Sequence, residues 1–289
     1  MNKTNTQTAL SERILMQVEK PLRYIGNEVN MVVKNPASVG IRFAVCFPDV
    51  YEIGMSHLGI QILYDLFNHR EDVYCERVYS PWPDLHQIMK EQNIPLFSLE
   101  TQDPIREFDF LGITLQYEMS YTNCLQILDL SHIPLLAADR DESFPLVIGG
   151  GPCAYNPEPL AMFFDLFYIG EGEVAYDQLF DLYIEHKKKG YNKRAFLLEA
   201  ANIPGIYVPE LYSVNYDENG RIASFLPISD GIHKSLQSCP TLWDPIDGSL
   251  PGSPVPGILQ ARVLEWGAIA FSELGPLLKG KEVCGRHSE

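Results

Sequence analysis

The stretch "IRFAVCFPDVYEIGMSHLGIQILYDLFNHR", residues 41–70, decides the fold. It opens with an apolar, β-rich run, passes through a short polar loop and continues as an amphipathic helix. The same succession recurs. "VYCERVYS" is a second strand, stopped by Pro81 and Pro83, and "PDLHQIMKEQN" a helix with proline near its start. "FDFLGITLQYE" (108–118) and "SYTNCLQILDLSHI" (120–133) form the next strand and helix. "FPLVIGGG" is another strand, "PLAMFFD" (159–165) a short helix, and "LFYIGEGE" (166–173) a final strand and turn before the helix "VAYDQLFDLYIEHKKKG". "PLFSLET" reads as a short edge strand, and Ser56 is placed to cap the helix at 57–70.

Strands alternating with helices predict an α/β fold, a Rossmann-like open and mostly parallel sheet flanked by helices. The expected organisation is an N-terminal extension (1–40), the Rossmann-like domain (41–190), and a helix plus hairpin (191–229). The hairpin is "ELYSVNYDENGRIASF", with Asn219-Gly220 as its turn. From 230 to 289 prolines stand among Ser and Gly, which predicts an irregular tail outside the main fold.

The chain has 289 residues, 46% of them hydrophobic, enough for a sizeable core. Its 38 acidic and 22 basic side chains give a net charge of −16, which disfavours nucleic acid and anionic membrane surfaces as partners. Lys187-Lys188-Lys189 complements a helix C-terminus. The six cysteines are scattered and form no CxxC, no signal-peptide pattern opens the chain, and a reducing cytoplasm is the expected location.

Ligands of an open parallel sheet sit beyond the carboxyl ends of its strands. The loops expected there are 49–57, 116–122, 149–157 and 170–173. Gly149, Gly150 and Gly151 leave no side chain above the backbone, so a ligand can approach main-chain N–H groups. Gly170 and Gly172 flank Glu171 just before a helix whose first amides are expected to face the same cleft. A plain turn is the competing reading for both glycine groups. Neither matches GxGxxG or GxxxxGK[ST], which argues against nicotinamide and nucleoside triphosphate enzymes. His57 and Ser56 belong to the first loop. Asp49, Glu52, Glu118, Glu158, Glu171 and Glu173 crowd the same edge, more as loop and capping groups than as an acid/base pair. No catalytic residue is assigned.

In order along the chain stand "KPLRYIGNEVN", "FPDVYEIGMSHLGIQILY", "ERVYSPWPDL", "PLFSLET", "FDFLGITLQYEMSYTNCLQILDL" and "IGGGPCAYNPEPLAMFFDLFYIGEGE". Through them residues 17–229 resemble the N-terminal part of radical SAM proteins that carry a cobalamin-binding domain. The resemblance implies a domain that holds, or descends from one that held, a corrinoid beside a radical SAM barrel. Typical cobalamin domains place DxHxxG after the first strand. Here the loop reads "DVYEIGMSHLG", so a cobalt-ligand role is not carried over to His57. The resemblance instead implies a cobalamin held without histidine, its nucleotide tail along 149–151 and the "YEMS" loop, which holds Tyr117, Glu118 and Ser120.

Radical SAM chemistry also needs a CxxxCxxC motif for a [4Fe–4S] cluster that chelates SAM, and this chain has none. "LQSCPTLWDPIDGSLPGSPVPGILQARVLEWGAIAFS" resembles a translated mammalian interspersed repeat, which implies a chimeric frame cut before the barrel. The expectation is therefore a cofactor-type domain, inert alone, with the missing barrel as its partner. The alternatives are a stand-alone scaffold module without cofactor and a flavodoxin-like redox domain.

Overall fold

The structure is a computed structural model that describes residues 10–170, 172–218 and 222–228. Glu171, the Asn219-Gly220 turn, Cys239, Cys284 and the whole expected tail lie outside the described residues.

Parallel strands β1 (Ile41–Phe47), β2 (Val73–Tyr79), β3 (Phe110–Thr114), β4 (Leu146–Gly150) and β5 (Leu166–Tyr168) form one sheet, and β6 (Ile206–Tyr207) adds an antiparallel edge. The order is β2-β1-β3-β4-β5-β6, so the chain reverses its direction of growth between β1 and β3. A crevice beyond the carboxyl ends is expected at that point. Strands β7 (Tyr212–Tyr216) and β8 (Ile222–Pro227) form the expected hairpin. The α/β Rossmann-like architecture read from the sequence is the architecture observed.

The helices are α1 (Glu12–Leu15), α2 (Tyr51–Gly54), α3 (Leu58–His69), α4 (Pro83–Gln92), α5 (Tyr121–Leu130), α6 (Gly172–Lys189) and α7 (Lys193–Ala200). Alternate residues of β1 divide the core. Ile41, Phe43, Val45 and Phe47 pack with Ile60, Tyr64 and Phe67 of α3 and Tyr176 and Phe180 of α6. Phe67 is the hub, with ring centroids 5.0 Å from Phe43, 4.7 Å from Tyr176 and 5.0 Å from Phe180. Each such buried ring contributes about 1.5–3 kcal/mol through area removed from water. Space over β3 is tight: a Cβ on Gly112 would lie 2.6 Å from the Phe43 ring, so only glycine lets that ring lie flat there.

Strand β2 is an edge, yet it is buried along its whole length and carries Glu76 and Arg77 inside. The Glu76 carboxylate accepts from Arg42 Nη2 at 2.6 Å, Ser98 Oγ at 2.7 Å and Thr101 Oγ1 at 2.5 Å. The residues before the sheet are strapped on: Lys34 Nζ donates to the carbonyls of Asn68, Arg70 and Val73, each at 2.7 Å.

Three local expectations are corrected. Residues 95–101 make no strand but a turn closed by a single Phe97–Pro104 bridge, with Gln102 at φ 57°. Residues 159–165 form a 3₁₀ turn at Glu158–Leu160 rather than an α-helix, because Pro157 and Pro159 remove two N–H donors in three residues. Ser56 does not cap α3: the N-cap is His57, and Ser56 Oγ donates to the Ile53 carbonyl at 3.3 Å, closing the turn after α2.

Candidate functional site

A cavity of about 180 Å³ opens at the carboxyl edge of the sheet, across the β1/β3 reversal. Its floor is apolar and aromatic, made by Phe43, Val45, Ile148, Phe67 and Tyr176. Its rim is made of the strand-to-helix loops.

The first loop is fixed at both ends. Asn123 Nδ2 donates to the Pro48 carbonyl at 2.8 Å, and the Tyr117 hydroxyl donates to Asp49 Oδ2 at 2.5 Å, tying the loops after β1 and β3 together. The Asp49 hydrogen bond, with some burial, pushes the Tyr117 phenol up to about 12, so it remains a donor at neutral pH. His57 then ends the loop. Its Nδ1 accepts from the Ile60 N–H at 3.4 Å and its ring stands 5.1 Å from Phe47.

The glycine loops form the opposite side. Gly151 has φ 94°, and a Cβ there would meet Thr114 Oγ1 at 3.0 Å and Gln116 Nε2 at 3.1 Å. Both its conformation and its surroundings therefore require glycine. A Cβ on Gly172 would lie 2.9 Å from Leu63, so α6 begins pressed against α3. Its first residue, Gly172, lines the cavity.

Of the residues singled out from the sequence, His57, Gly150, Gly151, Gly170 and Gly172 line this cavity together. Gly149 points elsewhere: a Cβ on it would lie 2.5 Å from Phe167, which makes it a packing glycine between β4 and β5. Ser56 is exposed. Tyr117 and Glu118 stand on the β3 loop outside the lining, and Ser120 is buried, its Oγ donating to the Tyr117 carbonyl at 2.8 Å. Three of the edge carboxylates have separate partners, Asp49 with Tyr117 among them. Glu52 pairs with Arg23 and Lys20, and Glu158 accepts from the Tyr207 hydroxyl at 2.5 Å. Burial raises the Glu158 carboxyl above its ordinary range.

Sequence reasoning passed over Tyr168, Tyr176 and Leu63, which also line the cavity. Their helical and strand periodicity marks them as core; Tyr168 and Tyr176 belong to it and Leu63 packs half-buried against it. Ile53, Leu58, Met119 and Tyr155 are exposed in the segments that follow β1, β3 and β4.

The family model for the N-terminal region of radical SAM proteins matches residues 59–209, from the first turn of α3 to the approach of β7. The chain belongs to this radical SAM N-terminal family. An uncharacterized protein of Methanocaldococcus jannaschii is 33% identical over 132 residues, 45% of this chain. The match spans 24% of that relative's length. The radical SAM N-terminal domain thus contains the floor of the cavity from β3 onward, its glycine rim and both helices α3 and α6. None of its described helices is long and apolar enough to cross a membrane.

Proposed function

We propose that this radical SAM N-terminal domain is a corrinoid-holding module that works beside a radical SAM catalytic domain. The observation that carries the reading is the aromatic-floored cavity at the β1/β3 reversal, with Gly150, Gly151, Gly170 and Gly172 among its lining. The residues present fit such a group. The floor suits a planar heteroaromatic ring, no carboxylate lines the cavity among the described residues, and the glycine rim leaves backbone N–H groups for a sugar or phosphate.

In this reading Phe43, Phe67 and Tyr176 would keep water from a bound group. Gly150 and Gly151 would leave it room at the end of β4. The tie between Tyr117 and Asp49 would hold the loops after β1 and β3 in place. His57 serves as the cap of α3 and supplies no metal bond. When bound, a corrinoid contributes radical and group-carrier chemistry that no side chain here supplies. The exposed Ile53, Leu58, Met119 and Tyr155 would offer a catalytic domain apolar side chains to rest on.

The test is gel filtration of the full chain after incubation with hydroxocobalamin, read by visible absorbance. Colour that elutes with the protein supports the reading. Colour confined to the small-molecule volume removes it and leaves a scaffold module.

A further inference from the structure

A second cavity, sharing no lining residue with the first, lies between the 21–24 turn, the end of β2 and the 96–99 segment. It measures about 20 Å³, room for one particle the size of a water molecule. Among the described residues four buried side-chain polar atoms have no hydrogen-bond partner, and three of them, Arg23 Nη1, Arg77 Nη2 and Tyr79 Oη, belong to residues that line this cavity. The residues are 7%, 3% and 9% exposed.

The other nitrogens of both guanidiniums are engaged. Arg23 Nε donates to Glu52 at 2.8 Å and its Nη2 pairs with the same carboxylate at 2.8 Å. Arg77 Nε donates to Glu100 at 2.7 Å and its Nη1 to Glu28. Each guanidinium thus keeps one buried nitrogen without a partner, on a residue that lines the cavity. The three carboxylates do not line it, and among the described residues no other acid does. Of the nearby hydroxyls, Tyr51 donates to Glu28, Tyr24 accepts from Trp82 N–H, and Ser80 donates to Gln126.

We propose that this cavity is a binding site for one small anion of halide size. A guanidinium nitrogen can only donate, and leaving a charged donor buried without an acceptor is costly. A water molecule accepts two such bonds and must then place two protons of its own. A spherical anion accepts from both arginines and the tyrosine at once. Its position links the turn that precedes the sheet to the end of β2 and, through Arg23 and Glu52, to α2 in the loop that leads to His57.

The test is thermal melting of the full chain while gluconate, too large for the cavity, is replaced by chloride or bromide at constant ionic strength. Generic salt effects make strongly excluded anions the more stabilising, so they do not favour bromide. The expected result is a saturable rise in melting temperature. In Tyr79→Phe, which deletes one donor, the midpoint moves at least fivefold to higher halide. Arg23→Lys, which keeps a charge beside Glu52 but loses Nη1, gives the same displacement and serves if Tyr79→Phe does not fold. No saturable rise in the unmodified chain overturns the proposal. So does an equal rise with an unmoved midpoint in the variants, which would put the halide elsewhere.

Discussion

Gly150 faces Tyr176 across the larger cavity: a Cβ built on the glycine would lie 4.0 Å from the tyrosine hydroxyl and meet nothing else among the described residues. The backbone there is ordinary strand, so a side chain is tolerated by the fold and opposed only by whatever enters the cavity. Gly150→Val is therefore expected to keep the melting temperature of the parent while weakening hydroxocobalamin binding at least tenfold. Equal affinity in the variant, measured by equilibrium dialysis, would remove Gly150 from the site.

His57 separates capping from coordination. His57→Ala deletes the acceptor for the Ile60 N–H, a bond of 3.4 Å, and is expected to cost about 0.5–1 kcal/mol in urea unfolding. Hydroxocobalamin affinity should change by less than about threefold, because the cap is the only role this account gives the imidazole. A large loss of affinity, with a change in the cobalt spectrum, would restore the ligand role that the loop sequence argues against.

Glu100 makes stability depend on pH. Burial raises its carboxyl to about 7 from an ordinary 4.5, although Arg77 pulls it down through the bond at 2.7 Å. The folded chain then holds a proton that the unfolded chain has lost. The contribution is present in full below about 4.5 and is lost as pH rises through about 7. Urea unfolding between pH 5 and 8 should show a decline on the order of 2 kcal/mol that is absent from Glu100→Gln. Parallel curves for the two proteins would show that Glu100 ionises normally.

Asp165 organises the far end of the sheet. Its carboxylate accepts from Arg140 Nη2 at 3.0 Å and the Val147 N–H at 2.7 Å, and pairs with Lys193 at 2.7 Å. Asp165→Asn leaves the buried Arg140 charge without its counter-ion. The expected loss is about 3–5 kcal/mol in urea unfolding. A loss under about 1 kcal/mol would mean that Arg140 finds solvent in the variant.

The strands were legible because β1, β3 and β4 are short, mostly apolar runs bounded by loops, and the glycine loops stood out because glycine has few other uses after a strand. Period and composition do not distinguish a core tyrosine from one beside a cleft, so Tyr168 and Tyr176 read only as packing. The second cavity was invisible for a different reason. Arg23 and Arg77 belong to segments far apart in the chain, and nothing local in either announces that one nitrogen of each is left over. The segments misread, 95–101 and 159–165, are those where proline and turn geometry override an apolar pattern.

The most direct test of the central claim is equilibrium dialysis of the full chain against hydroxocobalamin, with Gly150→Val alongside. The account predicts saturable binding approaching one corrinoid per chain in the parent and at least tenfold weaker binding in the variant. Retention no greater than that of an unrelated protein would contradict it, and the aromatic cleft at the sheet's reversal would then be a feature of packing alone.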